Sequence, residues 1–215
     1  MTHYIYGAGG LSLEAFSILS SITTFGTKSL YDDVIFVVDE EFLDCNKYYN
    51  CEIISINKFN QKAQTIILAI GDPVVRIRLL EKLPNLKLSQ SIIHPSSVIS
   101  PFAKIGLGCI IFPSVVIGPG VVIGNNCVIY SNTSINHNVN IDECVTISSN
   151  VSINGNCQIQ KGAFIGSNAC LKQHVIIGKN CIVGMGSVVI SNVDSEHVVA
   201  GNPAIFKKIR TNTLF

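Results

Sequence analysis

One aliphatic slot recurs every six residues, sixteen times without a break, between Val98 and Ile190. It runs Ile99, Ile105, Ile111, Ile117, Ile123, Ile129 and onward through Leu171 and Ile177 to Val183 and Val189. Four positions after each member sits a small or short-branched residue, among them Ala103, Cys109, Val115, Cys127, Val139, Cys157, Ala163 and Cys181. A strand repeats every two residues and a helix every 3.6, so a fixed short period of six marks a solenoid. Six residues suit a short strand and a corner, and three such sides close one triangular coil. The large aliphatic then points into the prism and the small residue fits beneath the bend. Sixteen hexads make a little over five coils, enough to stack a core that no single coil could bury.

Ile117-Gly118-Pro119-Gly120-Val121 and Ile123-Gly124-Asn125-Asn126-Cys127 carry the register most plainly. Their glycines and asparagines fall where tight corners need positive φ or a side chain that bonds its own backbone. On these repeats the chain resembles the hexapeptide-repeat, left-handed β-helix acyltransferases. The resemblance implies the fold more than the chemistry, because the same coil also occurs in γ-carbonic anhydrases and in structural modules.

The first ninety residues read differently. His3 to Tyr6 is a short apolar strand that ends in Gly7-Ala8-Gly9-Gly10, and Leu11 to Ser21 has helical spacing. Val34 to Val38 is a second strand closed by Asp39, and Glu52 to Ile56 and Thr65 to Ile70 are two more. Val74 to Leu83 reads as a helix with Pro73 in its first turn. The alternation predicts a small Rossmann-like parallel α/β domain. Its glycine turn can bring backbone N–H groups and a helix N-terminus against a phosphate. Asp39 is placed to accept from ribose hydroxyls. The third glycine of the dinucleotide fingerprint is missing and the unit is short, so a mononucleotide suits it better; a bare strand–helix turn remains the alternative. The expected fold class is thus α/β followed by β. Residues 1–93 form the Rossmann-like domain, 94–200 a left-handed parallel β-helix, and 201–215 a C-terminal tail.

A Gly-Ala-Gly-Gly α/β domain feeding a hexapeptide helix resembles the bacterial sugar acetyltransferases of sialic acid and bacillosamine pathways. In that family the first domain grips a nucleotide-linked sugar and the helix binds acetyl-CoA. Gly71-Asp72 with Arg76 looks like the family's strand-end motif, and Gly201-Asn202-Pro203-Ala204 like the segment after its last coil. The resemblance therefore implies sugar-nucleotide contacts at Gly7, Gly9, Gly10, Asp39, Gly71, Asp72 and Arg76. It also implies a homotrimer with active sites between subunits, working in surface-glycan (lipopolysaccharide) biosynthesis.

Acetyl transfer from a thioester needs a base for the incoming amine or hydroxyl and a donor for the oxyanion. His137 in Ile135-Asn136-His137-Asn138 is the candidate base, two residues past an inward aliphatic and so at an outward corner. By resemblance this stretch holds the family's catalytic histidine. One coil later the period puts Gly155 against His137, at about the 4.8 Å spacing of paired strands. In the family a backbone amide at this position holds the thioester oxygen. Thr146 matches a position near the acetyl-CoA, where relatives often have histidine. Relatives usually carry an acidic residue after the histidine, and Asn138 stands there instead, able to orient the ring without supplying charge. Asp142 or Glu143 could replace that acid through the fold. Lys207 and Lys208, with Arg210, form a basic cluster suited to the 3′-phosphate of coenzyme A.

With these residues in place, the resemblance implies an acetyl-CoA-dependent N-acetyltransferase acting on the 4-amino group of a UDP- or dTDP-linked 4-amino-4,6-dideoxy sugar. A sialic-acid-type O-acetyltransferase and a non-catalytic scaffold are the alternatives. A carbonic anhydrase needs two histidines close in sequence, and that pair is missing. No metal is expected. A net charge of +1 with 13% charged residues argues against nucleic acid, and an exposed apolar coil face favours an oligomer. No apolar run is long enough to span a membrane, and Met1-Thr2-His3 leads into a strand and not a signal peptide. Four of the eight cysteines share the small inward slot, reading as small hydrophobes of a reduced, cytoplasmic protein.

Overall fold

The computed structural model describes residues 2–22, 33–43, 47–48, 50–61 and 63–211. Its first layer is a six-stranded sheet. In chain order the elements are β1 (His3–Tyr6), α1 (Gly10–Ile22), β2 (Val34–Val38), β3 (Lys47–Tyr48), β4 (Cys51–Ser55), β5 (Thr65–Leu68), α2 (Pro73–Lys82) and β6 (Lys87–Leu88). The spatial order is β3-β4-β2-β1-β5-β6, parallel throughout except for the β3–β4 hairpin. The chain winds to one side of β1 and then crosses to the other, so β1 borders the switch point of a Rossmann-type sheet. Helix α1 buries Leu11, Ala15, Ile18 and Leu19, one stripe at helical spacing. Helix α2 starts where Asp72 caps it: the Asp72 Oδ1 accepts from the Val74 N–H at 2.9 Å, and Pro73 takes the first position. The two-residue edge strands β3 and β6 are too short to leave a period in the sequence.

From β7 (Ile92–Ile93) to β23 (Val188–Val189) every strand has two residues, and three parallel ladders form the sides of a prism. Partners stand one coil apart, as in Ile110 with Val128, Val116 with Ser134 and Val122 with Asn140. The aliphatic slot fills the interior, and nearly all its members are buried. The register begins one hexad earlier than expected, because Ile92–Ile93 already pairs with Ile110–Ile111. From Gly108 to Gly186 every sixth residue has positive φ, and most are Gly or Asn, the residues that enter the left-handed region most cheaply. The small slot has a second job. Hydroxyls of Ser91, Ser97 and Thr133 donate to carbonyls fifteen residues on, at 2.7–2.8 Å. The Cys109, Cys127 and Cys157 thiols do the same at 3.1–3.2 Å. The coil cysteines Cys109, Cys127, Cys144, Cys157, Cys170 and Cys181 are free thiols.

The C-terminal segment is not a tail. β24 (His197–Ala200) extends the first ladder, and β25 (Ile205–Ile209) folds back antiparallel on it. The turn between them hooks onto Val188, whose N–H donates to Gly201 O while its carbonyl accepts from Ala204 N.

The sheet domain packs on the first face of the prism. Residues Leu11, Ala15, Ile18 and Leu19 of α1 share one buried cluster with Ile92, Ile110, Phe112 and Val128 of the coils. Beside this apolar contact lies Arg76, fully buried at 0% exposure. Its Nη1 donates to Ile70 O at 2.6 Å and Gly71 O at 3.2 Å, both in its own domain. Its Nε reaches Asn126 O at 3.1 Å, and its Nη2 reaches Val145 O at 3.2 Å and Thr146 Oγ1 at 3.0 Å across the junction. Burial pulls the guanidinium pKa down, but an arginine stays charged at any working pH. A buried cation is tolerable here because carbonyl dipoles take every direction of the fork. Replacing Arg76 with Met should leave several carbonyls unpaired. At ~1–3 kcal/mol for each such group, chemical denaturation should show at least ~3 kcal/mol of lost stability.

Candidate functional site

Two regions of the chain carry the geometry of a site. The first lies at the carboxyl ends of the strands, where β1, β2 and β5 meet. A cavity of about 680 Å³ there is lined by Gly7, Ala8 and Gly9, by Tyr6, Val38, Asp39 and Ile70 at the strand ends, by Phe42, and by α2. Open α/β sheets bind ligands at this place, outside the strand ends at the switch point. Gly7 has φ +114°, and a Cβ there would sit 3.0 Å from the Ala69 carbonyl, so only glycine allows the turn. A Cβ on Gly9 or Gly10 would meet nothing; Gly10 is exposed and opens α1 just beyond the cavity wall. Asp39 follows β2 and lines the cavity, as expected. Helix α2 adds Val75, Arg78, Leu79 and Lys82, a stripe that puts two cations opposite the glycine turn. That stripe, at spacings of three, four and seven, was readable in the sequence but was not singled out; nor was Tyr6.

Three residues expected to touch the sugar nucleotide stand elsewhere. Arg76 is the buried junction clamp described above. Gly71 does not line the cavity, and its carbonyl accepts from Arg76 and from Thr146 Oγ1, the latter at 2.9 Å. Asp72 caps α2 and pairs with Arg210 Nη2 at 3.2 Å, with both side chains largely buried. Arg210 also donates to Gly162 O and Asn180 O, so it ties the coils to the start of α2 and is not available as part of an anion cluster. Thr146, expected beside the acyl donor, is likewise wholly buried with its hydroxyl bonded on both sides inside the junction. The cause is common to these residues: the sheet domain covers the prism face from which Thr146 projects.

The second region is the corner after Ser134–Ile135. Asn136, His137 and Asn138 are all exposed there. The His137 ring lies flat over Gly155 one coil on: a Cβ on Gly155 would come within 2.6 Å of Nε2 and 3.0 Å of Nδ1. Among the described residues the Gly155 N–H has no backbone acceptor, whereas its carbonyl takes the His174 N–H at 3.0 Å. Asn138 occupies the left-handed corner position, φ +57°, and its Nδ2 stands 3.4 Å from His137 Nδ1. Its Oδ1 packs against Gly120 in the coil below, where a Cβ would collide with it. An amide nitrogen only donates, so in this arrangement Nδ1 accepts and the neutral ring holds its proton on Nε2. Turning the amide over exchanges Oδ1 for Nδ2, moves that proton to Nδ1 and frees the Nε2 lone pair. Glu143 is committed to Lys161 at 2.6 Å, and Asp142 Oδ2 accepts from the Lys161 N–H at 3.3 Å. Neither acid replaces the missing partner of His137. His174 takes another positive-φ corner position and is exposed. His94, at the domain junction, accepts from the Ser96 N–H through Nδ1 at 3.1 Å.

Lys207 and Lys208 are exposed residues of β25. Lys208 lines a groove of about 420 Å³ on the first prism face, with Gly166, Gly184, Met185 and Arg210. Lys207 does not face it.

Substituting Thr146 with Val should cost ~1–3 kcal/mol of stability through the unpaired junction groups, with the KM for acetyl-CoA unchanged. Gly155→Ala should displace the His137 ring while the coil, whose backbone is not crowded at that point, keeps its melting temperature. Turnover should then fall ~10–100-fold, the scale of an ångström-sized misplacement of a reacting group.

Comparison with known proteins joins the two regions. The model of the PglD N-terminal domain matches residues 4–83, and that of the bacterial transferase hexapeptide (six repeats) matches 102–137 and 156–191. A search of curated protein sequences gives no match. Among solved structures, WeeI from Acinetobacter baumannii AYE is 28% identical, with a TM-score of 0.83 over 96% of this chain and 100% of that one. The acetyltransferase domain of PglB from Neisseria gonorrhoeae FA1090 is 24% identical, with a TM-score of 0.84 over 96% and 99%. A histidine-to-alanine mutant of GDP-perosamine N-acetyl transferase from Caulobacter crescentus, in complex with CoA and GDP-perosamine, is 21% identical, with a TM-score of 0.84 over 97% of each chain. With a PglD-type first domain and hexapeptide coils in one continuous fold, the chain belongs to the sugar acetyltransferases of the left-handed β-helix, hexapeptide-repeat family.

Proposed function

We propose that the protein is an acetyl-CoA-dependent N-acetyltransferase whose acceptor is the 4-amino group of a nucleotide-linked 4-amino-4,6-dideoxy sugar. The observation that carries this reading is the pairing of an exposed corner histidine with a glycine backbone one coil away, on a chain that also holds a nucleotide-sized cavity at a Rossmann switch point. The relatives support it: the PglB domain is also known with acetyl coenzyme A, and the Caulobacter enzyme with CoA and GDP-perosamine. His137 takes the proton that the amine loses as its nitrogen bonds the acetyl carbon and returns it to the sulfur as the C–S bond breaks, so that coenzyme A departs as the thiol. The Gly155 N–H faces the oxygen that gains charge as that bond forms. An amine is a good nucleophile once neutral, so a base oriented by Asn138 without a carboxylate suits it better than it suits a hydroxyl.

His137 is absent from the lining of the nucleotide cavity, and it stands on a corner that the sheet domain does not cover. A sugar held by one chain is therefore offered to the histidine of a neighbour, which is the reason for proposing a homotrimer. Val98 and Val116 project outward at 65% and 47% exposure on the face that leads to this corner, apolar area that association would remove from water. The groove beside Lys208 is the proposed seat of the coenzyme A nucleotide. No described helix is long and apolar enough to cross a membrane. The free cysteines fit a reducing compartment, and we assign the enzyme to the cytoplasm.

Free coenzyme A released from acetyl-CoA should be measured with UDP-, dTDP- and GDP-linked 4-amino-6-deoxy sugars beside free sialic acid. Release with an amino sugar nucleotide is expected, and release with sialic acid alone would move the assignment to O-acetylation. His137→Ala should lower kcat by ~10² or more, the scale of a lost general base, with acetyl-CoA binding retained.

A further inference from the structure

Asp39 follows β2 at the place where two cavities of the sheet domain meet. It lines the 680 Å³ cavity that holds the glycine turn, and also an adjoining one of about 540 Å³ with Ile56, Phe59 and Leu83. A nucleoside diphosphate has the same three-part plan: diphosphate at one end, base at the other, ribose between them. Asp39 is at the ribose position of that plan, and Lys82 also lines both cavities.

The carboxylate is not left to find its own rotamer. Tyr6, the last residue of β1 and 4% exposed, donates its hydroxyl to Asp39 Oδ2 at 2.6 Å. This is a charge-assisted bond between adjacent parallel strands, with the phenol ring itself fixed in the core of the sheet. Burial and the bond to Asp39 raise the Tyr6 pKa well above its ordinary value, so the phenol remains a donor through the physiological range. With Oδ2 bound to the tyrosine, Oδ1 is the oxygen left to accept from a ligand in the cavities that Asp39 lines, in a plane set by the protein before any ligand arrives.

We propose that Tyr6 is a positioning residue that locks Asp39 onto the ribose 2′-hydroxyl and so makes the first domain select ribonucleoside over 2′-deoxyribonucleoside diphosphates. This rests on the nucleotide reading of the first domain and narrows it, taking dTDP out of the candidate carriers. A fixed acceptor built to receive a hydroxyl is left unpaired when the hydroxyl is missing, and it cannot swing away to find water. Sites of this kind discriminate strongly against the analogue that lacks the group. A mobile carboxylate would discriminate weakly.

The test is calorimetric binding of UDP, 2′-deoxy-UDP, GDP and 2′-deoxy-GDP to the full chain, with acetyl-CoA as a second ligand. For the base that binds, the ribose form should bind at least about tenfold tighter than the deoxy form. Tyr6→Phe should shrink that ratio to about threefold or less, with acetyl-CoA affinity unchanged. Tyr4→Phe is the control: it removes a hydroxyl from the same strand, one bonded to Gln64 and not to Asp39, and should keep the full ratio. Equal binding of ribose and deoxy forms by the unaltered protein overturns the inference while leaving the nucleotide reading in place. So does a Tyr6→Phe protein that keeps the full ratio. Binding of acetyl-CoA with no nucleoside diphosphate bound overturns both together.

Discussion

A chain that turns a tight corner every six residues meets a demand for one left-handed residue per hexad, and this structure answers it from Gly108 to Gly186. The earlier corners at Ser96 and Phe102 close instead with Ser97 N–H to His94 O and Ala103 N–H to Ser100 O bonds. The left-handed demand places nearly everything else on the prism. It explains the run of Gly and Asn, and it sets the coil at eighteen residues, so that every corner side chain has a defined neighbour one coil above and below. Where the neighbour is glycine, the side chain can lie against the backbone of the adjoining coil. His137 over Gly155 and Asn138 over Gly120 are both of this kind. The candidate base is thus held by two absent Cβ atoms, one on each side of its own coil.

The same rule bears on the residue after the histidine. That position must adopt positive φ, where asparagine and aspartate are the least penalised residues with side chains. An aspartate there would serve the corner and the imidazole together; Asn138 serves the corner fully and the imidazole only as a neutral partner. The change is conservative for folding and not for chemistry. Fold and mechanism make separate demands on one residue, and only the first is fully met.

Much of this was legible in advance, and the limits have a physical pattern. Strand ends, the glycine turn, Asp39 and the coil register follow from periods and turn residues, which are local. The positions that misled were those whose role depends on which prism face the sheet domain covers. Thr146 alternates outward like any strand residue, and nothing in its hexad says that α2 will sit on it. Arg76 was placed among the sugar-nucleotide contacts because Gly71-Asp72 followed by Arg76 resembles the family's strand-end motif; two positions on, Arg78 is the arginine that lines the cavity. A shift of two residues on a helix rotates a side chain by more than half a turn, so the wrong arginine is on the opposite face. Ile205–Ile209 was read as a tail because its basic pair obscured a strand that pairs with only one neighbour.

The junction ties these observations together. Arg76 fixes the carbonyls of Ile70 and Gly71, which end β5, to those of Asn126 and Val145 on the coils. Asp72, next in the chain, starts α2 and is held by Arg210 from beyond the last coil. Helix α2 then carries Arg78 and Lys82 to the cavity wall. The cationic wall of the strand-end cavity is therefore set by contacts with the solenoid, not by the sheet domain alone. In the proposed trimer, where a sugar on one chain meets the histidine of another, the distance between cavity and coil must hold to within about an ångström. A buried cation satisfied by carbonyls from both domains and by the Thr146 hydroxyl suits that demand, because any sliding of one domain on the other would leave several of those groups unpaired at once.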